Sequence, residues 1–327
     1  MDLVRRSLVP VLVVLGLVLS SCSSGGEEPT ESGGEEPTAS GGDQVAAAMA
    51  SSDHYVDAPQ RVSFGLILAD QRLISFGSVD VTFSYLGTAQ ESVAPERGPS
   101  AVAVYLPTPG TPEGSGVPTA TLPSEGRGVY QAEDVTFDRA GFWQIDVTAD
   151  VEGLGAVRAR TTMGVREEPA YPAPGQDALP TKNLTIHSDA PAAAIDSRAA
   201  VGGEVPDPQI HEWTIARAVR QGRPALVLFA TPAFCASRFC GPVTDVLADL
   251  ATDFEDRAVF IHVEIWEDFE QQALNEAAAE WLFRDGNLTE PWTFLIGADG
   301  TIVDRWATLF REEEVRAALE ALPPMSA

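Results

Sequence analysis

The chain has 327 residues, with 48 Asp and Glu against 21 Lys and Arg and a formal net charge of -27. That balance opposes binding to nucleic acid and charge-driven adsorption to an anionic lipid surface. Once the atypical N-terminal segment is set aside, the length suggests two domains.

The N-terminus is read first. Arg5 and Arg6 form a basic start, Leu8 to Leu19 is an apolar run too short to span a bilayer, and small residues follow. This is the layout of a secretory signal over residues 1–21. Leu19-Ser20-Ser21-Cys22 resembles the bacterial lipobox. The resemblance implies a lipidated Cys22 as first mature residue and attachment to the membrane on its extracytoplasmic face. An ordinary signal with a chance cysteine is the alternative. Residues 22–57 begin with Ser-Gly-Gly-Glu-Glu-Pro-Thr at 24–30, repeated at 32–38, with no apolar side chain to bury. An acidic, disordered tether is expected, with a reach of roughly 33 Å.

Between residues 58 and 166, short alternating or aromatic-rich runs recur: Val62 to Leu68, Val79 to Tyr85, Ala101 to Leu106, Gly128 to Phe137, Gly141 to Ala149 and Ala156 to Val165. Turn residues separate them and helical periodicity is absent, which predicts an antiparallel sandwich. Gly128-Val-Tyr-Gln-Ala-Glu-Asp-Val-Thr-Phe-Asp-Arg-Ala-Gly-Phe-Trp-Gln-Ile-Asp-Val-Thr resembles the late strands of bacterial immunoglobulin-like modules. Trp143 is assigned to its core. Residues 167–208 are rich in Pro, Ala, Gly and Asp, and read as a linker that few contacts cross. The sequons at Asn183 and Asn287 are taken as chance matches.

From 209 to 324 strand and helix patterns alternate. Ala225 to Ala230 is a continuous apolar run suited to a strand buried on both faces. Val243, Val246, Leu247, Leu250 and Phe254 then recur at helical spacing. A strand over Ala258 to Trp266 precedes a helix with Leu274, Ala277, Ala278, Trp281 and Leu282 on one side. A hairpin joins Trp292 to Ile296 with Ile302 to Trp306, and a last helix carries Val315, Ala318, Leu319 and Leu322. His211 is read as a structural residue of an added helix.

Residues 212–322 resemble a thioredoxin-like domain. Phe229-Ala-Thr-Pro-Ala-Phe-Cys235 stands at that family's strand-to-site junction, and Glu290-Pro291-Trp292-Thr293 at its cis-proline turn. The resemblance implies a redox cysteine at Cys240-Gly241-Pro242, faced by Pro291. The family's Cys-x2-Cys would need a cysteine at 243, where Val243 stands, so the partner thiol is Cys235 in a variant Cys-x4-Cys-Gly-Pro arrangement. The expected fold class is therefore multidomain, an all-β immunoglobulin-like sandwich followed by an α/β thioredoxin-like domain.

The residues themselves carry part of this chemistry. Pro242 suits a first helical turn, which puts Cys240 where helix dipole and free amides favour a thiolate. Cys240 is thus expected to attack and Cys235 to resolve, an order that reverses if Phe239 covers Cys240. Arg238 lies between the thiols and lowers their pKa if it points inward. Period two places His262 and Glu264 on one face, and a buried Glu264 would suit proton transfer with the resolving thiol.

Three readings stay open. The first is a thiol-disulfide oxidoreductase without cofactor, acting on protein thiols and disulfides with a further redox partner. The second is a copper site resembling the Sco family, with Cys235, Cys240 and His262 as ligands. That family uses Cys-x3-Cys, which this chain lacks. The third is a redox-silent interaction protein with a structural disulfide, whose six-residue loop contributes only about 2 kcal/mol.

Overall fold

In the computed structural model, which describes residues 45–325 except 113, 115, 200 and 201, alternating apolar and polar side chains build most of the chain into strands. The expected signal segment 1–21, Cys22 and the tether as far as residue 44 lie outside the described residues. Ten strands come first: β1 (Val45–Met49), β2 (His54–Tyr55), β3 (Gln60–Leu68), β4 (Leu73–Ser75), β5 (Ser78–Gly87), β6 (Ser92–Pro107), β7 (Thr119–Thr121), β8 (Gly128–Val135), β9 (Gly141–Val151) and β10 (Gly155–Arg166). They form one ten-stranded sheet in the order β2-β10-β9-β5-β6-β8-β3-β4-β7, with β1 added on β3. Along β9 every second residue from Trp143 to Val151 is buried, and these side chains meet Phe64, Phe83, Tyr130 and Phe137 in a single core. Trp143 lies in that core as expected, its indole N–H donating to Arg139 O at 3.1 Å.

The expected fold class is corrected here. The molecule is mostly strand with few helices and is dominated by one ten-stranded sheet; it is not an all-β sandwich followed by an α/β thioredoxin-like domain. The reason lies in the long strands, which change partner along their length. Strand β6 pairs β5 through Ser92–Val104 and β8 through Ala103–Pro107, while β3 pairs β8 at one end and β4 at the other. A sequence pattern shows which side chains alternate, not where a ladder passes to a new neighbour. The tether expectation also ran too far, because β1 and β2 belong to this sheet.

The remaining elements are α1 (Ala192–Ile195), a 3₁₀ turn at Pro208–Ile210, α2 (Ile215–Arg220), β11 (Ala225–Ala230), α3 (Cys240–Asp253), β12 (Val259–Glu264), β13 (Trp266–Asp268), β14 (Ala273–Leu274), α4 (Glu276–Leu282), β15 (Phe283–Arg284), β16 (Asn287–Leu288), β17 (Trp292–Ile296), β18 (Ile302–Ala307) and α5 (Glu312–Ala321). A second sheet runs β12-β11-β17-β18, parallel only between β11 and β12. Strand β11 is buried throughout. Leu226, Leu228 and Ala230 meet α3 and α5 on one face, and Ala225, Val227 and Phe229 meet α2 and α4 on the other. Leu274, expected on a helix, sits in β14, because the Asn275 side chain caps α4 by accepting the Ala277 N–H. Among the described residues no helix is long and apolar enough to cross a membrane.

Residues 167–208 do not behave as a linker that few contacts cross. Tyr171, Ala173, Ala178 and Ile195 are buried, and the described residues form one compact unit. The two sheets are bound to each other through Arg305 on β18, whose guanidinium donates to the Asp53 carboxylate at 2.8 Å and to the carbonyls of Tyr171 and Pro172. Arg61 on β3 pairs with Asp304 and Glu314, and Leu106 and Val129 of the large sheet enter the apolar cluster of α3 and α5.

Candidate functional site

Strand β11 ends at Ala230, and Thr231 to Phe239 connect it to α3. Cys235 in this connection and Cys240, the first residue of α3, form a disulfide with Cα atoms 6.0 Å apart. The two sulfurs differ in access. Cys240 is fully buried, whereas Cys235 is partly exposed, with the Ser237 hydroxyl 3.1 Å from its sulfur. Phe239 packs against the core beside them. Of the two sulfurs, Cys235 is therefore the more accessible and Cys240 the interior one.

The residue that sequence reasoning passed over is Glu290. Its Oε2 lies 3.7 Å from Cys240 Sγ and accepts the Thr231 N–H at 2.7 Å. Burial pushes its carboxyl up to about 8, with the nearby Glu264 charge adding to the rise. Glu290 joins Pro291 through a cis peptide. The available signal was an acid placed directly before the proline of the turn that faces the cysteines.

Glu264, given the proton-transfer role from sequence, is buried at the end of β12 but is held by backbone donors. Its carboxylate accepts the N–H groups of Ser197 at 2.8 Å and Ile265 at 2.9 Å, and burial raises its pKa. It connects to the disulfide indirectly, through Ser197, Thr231 and Glu290. Arg238 is exposed, with a left-handed backbone (φ 63°) and its N–H donating to Cys235 O, so it shapes the turn between the cysteines. Gly241 and Pro242 lie in the first turn of α3. A Cβ at Gly241 would meet only Pro232 O at 3.5 Å, so that position needs no glycine for space.

A cleft of about 440 Å³ opens beside the pair. Its lining includes Cys235, Ser237, Phe239, Glu290 and Pro291, together with Met49 at the end of β1. Outside it Phe234 is exposed and stacks on Phe269 with ring centroids 4.0 Å apart.

His262 does not join the cysteines. The ligand-capable groups that converge with Cys235 and Cys240 are those of Glu290, while His262 converges with Asp196 and His211 in a separate, fully buried cluster. The copper ligand set Cys235, Cys240 and His262 is thus not brought together. His211 follows the 3₁₀ turn and is fully buried.

The chain matches no family model and no curated protein sequence.

Proposed function

We propose that the protein is a thiol-disulfide oxidoreductase in which Cys235 exchanges with substrate and Cys240 is the interior partner thiol. The observation that supports this best is the fully buried Cys240 sulfur 3.7 Å from a carboxyl whose pKa lies near about 8. A disulfide that only braced a loop would have no use for a proton-carrying acid at one sulfur. The motif resemblance to thioredoxin-like proteins at Cys240-Gly241-Pro242 and Glu290-Pro291 points the same way.

In the oxidative direction a substrate thiolate attacks Cys235 Sγ. The Cys235–Cys240 bond breaks, a mixed disulfide forms at Cys235, and the electron pair leaves on Cys240, which takes a proton from Glu290. The N-terminus of α3 stabilises the leaving thiolate, and a better leaving thiol speeds exchange. A second substrate thiol then attacks the substrate sulfur of the mixed disulfide and frees Cys235. The substrate leaves oxidised and the protein reduced; the reductive direction is the same sequence run backwards, with ionised Glu290 taking the Cys240 proton. The apolar cleft wall suits a polypeptide segment as substrate.

Trapping tests the assignment of roles. The reduced Cys240→Ser protein should accumulate a mixed disulfide with a disulfide-containing substrate at Cys235, while Cys235→Ser should not. Trapping at Cys240 instead, or in neither variant, contradicts the reading.

In this reading the protein works on the extracytoplasmic face of the membrane, held by lipid on Cys22; the lipobox resemblance supports that placement. Cys22→Ala should move the protein from the membrane fraction to the soluble one. Retention of a cleaved variant in the membrane fraction would exclude this anchor.

A further inference from the structure

We propose that Asp196, His211 and His262 hold one divalent transition-metal cation, of the zinc class, in the interior between α1, the 3₁₀ turn and β12. The three residues come from segments far apart in sequence, and all are essentially inaccessible. His262 Nε2 faces Ala230 O at 3.0 Å and His211 Nδ1 faces Asp207 O at 3.1 Å. A carbonyl only accepts, so each of these nitrogens carries the hydrogen. In neutral rings the other nitrogens, His211 Nε2 and His262 Nδ1, then hold lone pairs, yet they face each other at 2.9 Å. Two lone pairs at that separation require a positive species between them.

Asp196 Oδ2 lies 3.5 Å from the first of these nitrogens and 3.8 Å from the second. The point equidistant from all three atoms is about 2.0 Å from each, which is the length of a zinc–nitrogen or zinc–oxygen bond. A shared proton would serve the two nitrogens and leave the carboxylate outside bonding distance; a cation serves all three.

The surroundings fit the same occupant. Metal-bound histidines characteristically donate their second N–H to a backbone carbonyl, as both do here, and bound carboxylates are held by further hydrogen bonds. Arg198 supplies those to Asp196 and also pairs with Asp207 and Asp245. Arg198 divides its charge among Asp196, Asp207 and Asp245, so the buried Asp196 carboxylate keeps negative charge to offer a cation beside the two rings.

The test is zinc titration of the purified, oxidised protein after dialysis against a chelator, read by metal content and by melting temperature. One equivalent should bind and raise the melting temperature. The Cys235→Ser/Cys240→Ser variant should bind equally, which separates this site from the thiols. His262→Gln and Asp196→Asn should each weaken binding at least tenfold. Should either variant fail to fold, zinc absorption spectroscopy of the wild-type protein decides, with two nitrogens and one oxygen near about 2.0 Å expected. Absence of stoichiometric zinc, a sulfur in the zinc shell, or a proton shared by His211 and His262 in the zinc-treated protein would overturn the proposal.

Discussion

Replacing Glu290 with Gln should slow thiol-disulfide exchange by on the order of a hundredfold at pH 7, the lower end of what a positioned acid or base contributes. Gln keeps the size of the side chain and can still accept the Thr231 N–H, but it cannot pass a proton to or from Cys240. The defect should shrink above pH 8 in the oxidative direction, where the wild-type carboxyl, raised to about 8, has itself lost its proton. Stability offers a second readout. Because the folded pKa lies above the ordinary carboxylate value, the folded protein holds more protons than the unfolded chain between those values, and stability falls as pH rises. The slope approaches about 1.4 kcal/mol per pH unit for a single group. His54, lowered to about 4, and the likewise lowered His211 and His262 act with the opposite sign, an effect that fades as pH rises through their unfolded value of 6.5 and is the same in both proteins. Between pH 6.5 and 8 the oxidised wild-type protein should therefore lose stability in denaturant titrations, and E290Q should lose distinctly less. Equal slopes, with equal exchange rates at pH 7, would remove Glu290 from the mechanism.

Arg305→Met should cost about 3–5 kcal/mol, measured as a shift of the denaturant midpoint at constant slope. The Asp53 side chain is fully buried and that of Arg305 nearly so, and the guanidinium binds that carboxylate together with three backbone carbonyls, those of Asp53, Tyr171 and Pro172. It also lies 5.3 Å from the ring centres of Tyr55 and Trp292. Removing it leaves a buried anion without its counter-ion where the two sheets meet. The half-exposed Arg311–Glu133 pair supplies the control, since breaking it should cost under about 1 kcal/mol. A loss below about 1 kcal/mol for Arg305→Met would mean that the sheets are held chiefly by apolar contact.

How much of this was legible from sequence differs by element. The alternating runs that became β5, β9 and β10 were visible because burial on one face imposes period two, and β11 because burial on both faces makes a continuous apolar run. The helix start at Cys240 was visible through Gly241-Pro242. The continuity of the ten-stranded sheet was not, because partner changes along β3 and β6 depend on register and bending. Short strands such as β4 and β7 carry too few residues to show a period. At the site, cysteine spacing pointed to the pair, but the choice of acid depended on tertiary placement. Period two drew attention to Glu264 at a strand end, whereas Glu290 sits in a turn with no periodicity to mark it. Asp196 lay hidden in an Ala- and Pro-rich stretch that reads as a linker, and only folding brings it to His211 and His262.

The central claim is that Cys235 and Cys240 form a working redox couple, and the midpoint potential of their disulfide, measured against glutathione or dithiothreitol redox buffers, tests it most directly. The account predicts a value above about −300 mV, within reach of cellular thiol couples, whereas a value well below about −300 mV would mark a structural bond and contradict it.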